Sequence, residues 1–237
     1  MSATAQLQPD AAFISNRILD RLPSIARMNI DLDSKDSEQR LLVEAYVHDK
    51  FNESYAANVQ HFLPYILTLK CNDNICSAVG IRLAESGPLY LEKYLQHPIE
   101  QEIGIRFNTA IQRESIIEIG NLVSTWRGSS QLLFIFLTDL LFRVDREWVV
   151  FTATKDVEHL LQKMHFTLIH LGEASEDMLG DEKDQWGSYY QDKPRLILGH
   201  IPSAMSRLKQ SALMSSSLSL FSNRIAELAD DLNAKCE

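Results

Sequence analysis

The pattern of apolar and polar positions divides this chain into short strands and a few amphipathic helices. Ile25 to Leu32 alternates and suits a strand. Asp36 or Ser37 caps a predicted helix running to about Ala57, with Leu41, Leu42, Ala45, Tyr46 and Phe51 near one face. Pro64 to Lys70 and Ile75 to Ala84 read as a hairpin around Asn72-Asp73-Asn74. Leu89 to Leu95 is a short helix that Pro98 stops. A strand over 115–123 follows, then an apolar helix over 130–144 and a strand over 147–153. A helix over 156–164 leads through His165-Phe166 to strands near 167–171 and 195–201. Pro194 falls just before the last strand, where its missing N–H does least harm. At the front, 1–22 includes a short helix with Phe13, Ile14, Ile18 and Leu22 on one face. At the end, Ser215-Ser216-Ser217 reads as a soft linker, and Phe221, Ile225, Leu228 and Leu232 form one helical stripe. The expected organisation is an N-terminal helical extension (1–22), an α/β (α+β) domain (23–203) and a C-terminal helical tail (204–237).

One position in this pattern stands out chemically. The run Ile116-Ile117-Glu118-Ile119 places a carboxylate inside an otherwise apolar strand and ends in the polar pair Gly120-Asn121. A charge there is costly unless it has a partner or a task.

The strand, loop, helix and strand of 115–154 resemble the acetyl-CoA-binding core of the GNAT acyltransferases. There a strand splays open and the next helix N-terminus receives the cofactor's pyrophosphate. EIGNL at 118–122, LF at 133–134, FTAT at 151–154, WGSYY at 186–190 and RLILGHI at 195–201 together resemble the thermostable hemolysin family. HFLPYILTL at 61–69, GIR at 80–82 and LYLEKYLQHPIE at 89–100 match it in the same order, so the likeness covers roughly residues 40 to 203. A more distant resemblance is to the acyl-homoserine-lactone synthases, through Val79-Gly80-Ile81-Arg82, Pro88-Leu89-Tyr90-Leu91 and Ile117 to Asn121. Arg82 and Glu118 take the two matching charged positions. Asn121 stands where those synthases have Arg. Phe51-Asn52-Glu53-Ser54-Tyr55 lacks a counterpart of the spaced Asp pair that helps them hold S-adenosylmethionine.

The resemblance implies a GNAT-like acyltransferase fold, with a central mixed, mostly antiparallel sheet that is split beside Asn121–Ser124. It implies an N-acyltransferase moving a fatty acyl group to a small amine such as an amino acid. The donor it implies is acyl-CoA or the phosphopantetheine of an acyl carrier protein. Backbone groups of Asn121, Leu122, Val123 and Ser124 then hold the pantetheine arm. Glu118 accepts the amine's proton, or is a buried Glu paired with Arg82; the two roles are compatible. Arg82, Trp186, Tyr189 and Tyr190 border the acceptor, although aromatic clusters are also ordinary core. The GNAT phosphate loop is incomplete, because Trp126-Arg127-Gly128-Ser129-Ser130 lacks the second glycine. Arg127, Gly128 and Ser129 are either phosphate contacts or an ordinary helix entry. Thr152 and Thr154 end a strand on the donor channel, or cap the next helix.

Composition narrows the alternatives. The chain has 237 residues, 45% of them apolar, enough for one full core. No apolar stretch is long enough to span a membrane, and no signal peptide is evident, so a cytoplasmic location is expected. A net charge of −9 argues against nucleic acid. The seven histidines show no metal-type spacing, so no metal is expected. Ser188 lacks a nucleophile elbow. Cys71, Cys76 and Cys236 are read as reduced thiols. From Leu171 to Lys193 there are seven acids and two lysines, which is a solvated loop or a cover over a site. The C-terminal stripe docks on its own domain, on a homodimer partner or on a membrane. Its acidic polar face disfavours anionic lipid. The rival to an acyltransferase is a non-enzymatic, membrane-active hemolysin-type protein. An enzyme whose acylated product lyses cells reconciles the two.

Overall fold

The computed structural model describes residues 28–125 and 128–234. The expected helix of 1–22, residues 25–27, Trp126, Arg127 and Cys236 lie outside these residues. A seven-stranded sheet runs in the order β1-β2-β3-β4-β5-β7-β6. Its strands are β1 (Met28–Asp33), β2 (Tyr65–Cys71), β3 (Asn74–Leu83), β4 (Ile116–Ser124), β5 (Trp148–Ala153), β6 (Leu168–Glu173) and β7 (Arg195–His200). Every neighbour pair is antiparallel except β4 with β5. The expected GNAT-like, mixed and mostly antiparallel sheet is therefore present.

Helices cover both faces. On one face lie α3 (Ser129–Arg143), α5 (Ile201–Gln210) and α6 (Ala212–Ala234), packed on Val79, Ile81, Ile117 and Ile119. The other face carries α1 (Arg40–Tyr55), α2 (Ile99–Phe107) and 3-10 segments at Tyr90–Tyr94, Glu176–Trp186 and Tyr189–Asp192. Between β5 and β6 lies α4 (Lys155–Lys163). α3 is apolar nearly all round because β-strands and two helices enclose it.

Several expectations change. In α1 the buried residues are Arg40, Val43, Val47 and Phe51, while Leu41 and Leu42 are 79% and 61% exposed. The reason is Arg40, whose guanidinium donates to the carbonyls of Asp33 (3.2 Å), Leu63 (2.7 Å) and Pro64 (3.1 Å) and so sets the helix rotation. Ser37 does not cap this helix; its hydroxyl accepts from Ser34 N–H in the preceding turn. Pro98 does not only stop a helix; it precedes α2, which the pattern missed. Ser215–Ser217 is no linker but part of α6, where Ser216 and Ser217 donate back to Ala212 and Leu213 carbonyls.

The cysteine reading is also corrected: Cys71 and Cys76 form a disulfide, with Cα atoms 6.1 Å apart. The hairpin turn has Asn72 and Asp73 both at positive φ, as a tight hairpin requires. Leu69 pairs with Ser77 and Lys70 with Ile75, so Cys76 is the extra residue of a bulge. That bulge brings it beside Cys71, which sequence spacing does not reveal.

The C-terminal stripe is buried within the chain. The Phe221 ring packs tilted against Phe136, 4.7 Å between centroids, and Ile225, Leu228 and Leu232 join the same core. Arg224 pins α6 to β1 through the Ile30 carbonyl and Asp31, both at 2.9 Å. The stripe is thus spent intramolecularly, which removes it as a surface for the expected dimer. No helix among the described residues is long and apolar enough to cross a membrane. Phe221→Ala should cost about 3 kcal/mol, in the range for large-to-small core changes. Urea denaturation checks this, and an unchanged midpoint refutes the docked tail.

Candidate active site

The sheet opens where β4 meets β5. Their parallel ladder covers only Ile116↔Trp148, Ile117↔Val149 and Glu118↔Val150. Beyond Glu118, β4 stays paired with β3 alone and β5 with β7 alone. A bulge bends β4 at this point. Gly80 faces Gly120 and Ala78 faces Val123, so β4 holds one extra residue, and Asn121 sits at φ 50°. A bulge adds twist and shifts which face the following side chains meet. Accordingly Ile117, Ile119 and Leu122 pack on the α3 side, while Ile116 and Val123 pack on the other.

A cavity of about 130 Å³ occupies this gap and draws walls from both layers. Ile119, Phe134 and Phe151 come from the α3 side. Phe51, Leu91, Tyr189 and Tyr190 come from the opposite side. Asn121 holds the bulge to the neighbouring loop. Its Oδ1 accepts from Leu63 N–H at 3.2 Å and its Nδ2 donates to His61 O at 3.4 Å. Gly80 is required beneath it, since a Cβ there would lie 2.9 Å from Leu63 Cβ and 3.1 Å from Asn121 Oδ1.

Glu118 lines the cavity and is only 4% exposed. Its Oε2 accepts from Tyr90 N–H at 2.9 Å and its Oε1 from Leu91 N–H at 2.8 Å. Arg82 is its cross-strand partner, with Nη1 3.9 Å from Oε2. Burial pushes the Glu118 carboxyl above its ordinary value, and the two amides and Arg82 only partly offset this. The carboxylate thus anchors the 3-10 turn and at the same time lines the cavity.

A second layer of charge fixes that turn. Arg113 donates to both oxygens of Glu92 (2.7 and 3.0 Å), to Glu100 (2.5 Å) and to the Ala84 and Gly87 carbonyls. Glu92 in turn accepts from the N–H groups of Leu89 (2.8 Å) and Ile99 (2.9 Å). Leu89 directly precedes the two residues that bind Glu118.

The 3-10 segments roof the cavity with aromatic rings. Trp186 lies 6.0 Å from Tyr90 and 5.4 Å from Tyr189, between ring centroids. Trp186 Nε1 donates to Tyr90 Oη, the Tyr94 and Tyr190 hydroxyls hydrogen-bond to each other, and Tyr189 meets Thr152 at 3.3 Å. Burial pushes the Tyr94 phenol up to about 12, so these hydroxyls stay protonated near neutral pH. The acidic stretch 171–193 therefore presents its acids outward and its aromatics inward. Lys93 and Tyr90 hold it through Glu182, at 2.7 and 3.1 Å. Gly187 sits at φ 52°, packed so tightly that a Cβ would strike the Tyr55 carbonyl.

Of the residues singled out in the sequence, Arg82, Glu118, Asn121, Leu122, Thr152, Thr154, Trp186, Tyr189 and Tyr190 share this cavity. Val123 is buried away from it. Ser124 bonds Ser129, whose hydroxyl also donates to the Cys76 carbonyl at 3.2 Å. Gly128 precedes α3 at φ 101°, and Arg127 lies outside the described residues. Thr154 occupies the position before α4, but its side chain makes no cap bond. The pattern missed Tyr90, Leu91 and Tyr94. Their segment reads simply as a helix, and the demand of Glu118 for two N–H donors was the available signal.

These features place the chain among proteins with a GNAT-like fold. The chain belongs to the thermostable hemolysin family, whose model, "Thermostable hemolysin", matches residues 33–205. No curated protein matches it. Among solved structures it is similar to FeeM, an N-acyl amino acid synthase from uncultured soil microbes. That match has a TM-score of 0.53 and 9% identity, over 76% of this chain and 94% of that one. It is also similar to BjaI, a CoA-dependent acyl-homoserine lactone synthase solved with SAM and isopentyl-CoA. Here the TM-score is 0.51 with 10% identity, over 77% and 88% of the two chains. The acyl-homoserine lactone synthase LasI matches with a TM-score of 0.50 and 13% identity, over 73% and 90%. At such identities the likeness is one of fold.

The Arg113 cluster has a pH signature. Burial pushes the Glu92 carboxyl up, but Arg113 and the two amides outweigh this and hold it below its ordinary value. A depressed carboxyl stabilises the fold above its unfolded value, and that contribution is lost as pH falls through the folded value. Arg113→Met should lower stability at pH 7 by about 2 kcal/mol, between the costs of breaking exposed and fully buried pairs. The variant should then lose less than the parent on acidification from about pH 6 to about pH 3, across the carboxylate range. Denaturant midpoints over that range test both, and parallel acid profiles refute the assignment.

Proposed function

We propose that this protein is an N-acyltransferase, moving a fatty acyl group from acyl-CoA or an acyl carrier protein to a small amine such as an amino acid. The observation that carries the reading is the Glu118 carboxylate beside the cavity at the point where β4 leaves β5. An amine attacking a thioester must lose a proton as the tetrahedral intermediate forms. A carboxyl raised by burial is better matched to that task near neutral pH than an exposed one. The unladdered edges of β4 and β5 offer backbone groups for a pantetheine arm. Backbone N–H groups held rigidly there suit a developing oxyanion. The amine nitrogen attacks the thioester carbonyl, the C–N bond forms, the C–S bond breaks, and the thiol leaves. The names of FeeM and BjaI, one an N-acyl amino acid synthase and one CoA-dependent, support the same reaction class. The non-catalytic alternative of a membrane-active helix loses support, because the apolar stripe of α6 is buried against α3.

Donor binding is expected to stabilise the fold by roughly 2.7 kcal/mol at 100 times the dissociation constant. Thermal shifts with acyl-CoAs and acyl carrier protein read this out. No shift at concentrations that saturate a control acyltransferase removes the proposal.

Glu118→Gln should lower single-turnover acylation roughly 10²–10⁴-fold, the usual worth of a general base. It should also lower the melting temperature, because the amide NH₂ cannot accept from a backbone N–H, at a cost of about 1–3 kcal/mol. A folded, donor-binding variant with the parent's acylation rate sinks the catalytic role and leaves Glu118 as an anchor.

A further inference from the structure

We infer that Arg82 and Glu118 clamp a zwitterion, so that the acceptor is an α-amino acid whose large apolar side chain lies among Tyr90, Tyr94, Trp186 and Tyr190. This rests on the acyltransferase reading and names its second substrate. The two charged groups face each other across adjacent antiparallel strands and line the same cavity. Their separation of 3.9 Å is too long for a hydrogen bond. The Arg82 guanidinium donates to the Pro88 carbonyl at 3.1 Å, its one side-chain hydrogen bond among the described residues. A guanidinium carries five N–H donors, so most remain for a ligand. Each Glu118 oxygen accepts one backbone N–H and keeps a second lone pair. The pair therefore presents a donor and an acceptor side by side and only loosely bound to each other.

An α-amino acid matches this spacing. Its ammonium nitrogen and carboxylate oxygens lie about 3 Å apart, because two bonds of about 1.5 Å join N to the carboxyl carbon. The ammonium meets Glu118, and the carboxylate meets Arg82. A simple alkylamine leaves the Arg82 donors unpaired in a partly desolvated site, which disfavours it. Arg82 is the one permanently charged cation among the described lining residues. The rest of the acceptor meets aromatic rings, with Trp186 at 6.0 Å from Tyr90 and 6.1 Å from Tyr190. These rings pack on one another and together give a large apolar side chain an aromatic surface to lie against. In the reaction Glu118 takes a proton from the clamped ammonium, the freed amine attacks the thioester, the C–S bond breaks, and the nitrogen's second proton passes to the departing thiolate. The carboxylate stays on Arg82, and the products are an N-acyl amino acid and the free thiol.

The experiment compares phenylalanine, phenylalaninamide and phenethylamine as acceptors. Thiol release from a medium-chain acyl-CoA, or from the same acyl group on a carrier protein, gives kcat/KM. Calorimetry gives their binding to the protein without donor. The parent protein should prefer phenylalanine over both analogues by roughly 10- to 100-fold, the worth of hydrogen bonds to a charged group. Arg82→Gln should collapse that preference, and Arg82→Lys should keep part of it. Equal use of phenylalanine and phenethylamine by the parent overturns the clamp, even if Arg82→Gln fails to fold. So does an Arg82→Gln protein of unchanged melting temperature that keeps the parent's preference. If phenylalanine binds in an Arg82-dependent manner but no thiol is released from any donor, the clamp stands and the acyltransfer reading falls. If no carboxylate-bearing amine binds, the clamp is wrong whatever the donor results.

Discussion

The Glu118 carboxylate is an anion within the core, and the surrounding structure is arranged to hold it. Burying such a group without partners costs more than a domain's entire margin of stability. Two N–H groups from the turn at Tyr90 and Leu91 satisfy it, across 28 and 27 residues of chain. That demand brings the 3-10 segment down onto the sheet. With the segment come the Tyr90 and Tyr94 rings, which roof the gap between β4 and β5. The Arg113–Glu92 cluster then holds the turn in place from behind. One buried charge thus links the sheet, the roof and the cavity. The same charge carries the proton-accepting role in the proposed reaction.

The gap itself comes from a backbone irregularity. Asn121 adds one residue to β4, and its side chain secures the bulge to the loop at His61 and Leu63. The extra twist carries β4 away from β5 after three paired residues. Gly80 leaves room for this arrangement. Because the gap passes through the sheet, the cavity touches both cores. Polar chemistry sits on the side of Glu118 and Arg82, and Phe134 and Phe151 form an apolar floor on the α3 side.

The segment between β6 and β7 combines two physical characters. Its acids face solvent and its aromatics face the cavity. Anchoring is by specific bonds: Ser188 N–H to the Tyr55 carbonyl, Asn58 N–H to the Gln185 carbonyl and the Glu182 contacts with Lys93 and Tyr90. The solvated-loop and cover readings therefore describe two sides of one element.

The sequence by itself determined most strands, the apolar helix α3, the tight turn at Asn72-Asp73 and the suspicion attached to Glu118. These follow from neighbours a few residues apart, through periodicity, turn chemistry and the cost of a charge in an apolar strand. The order of motifs added the GNAT-like architecture. The tertiary structure alone decided the rest. It turned α1 so that Arg40 is buried and Leu41 is exposed, because carbonyls at Asp33, Leu63 and Pro64 needed a donor. It placed the bulge that joins Cys71 to Cys76, and it drew Ser215–Ser217 into a helix that completes the core over α3. It also gave Glu118 the amides of Tyr90 and Leu91. Partners so distant along the chain leave no local periodicity, since packing and hydrogen-bond satisfaction select them only once the layers are assembled.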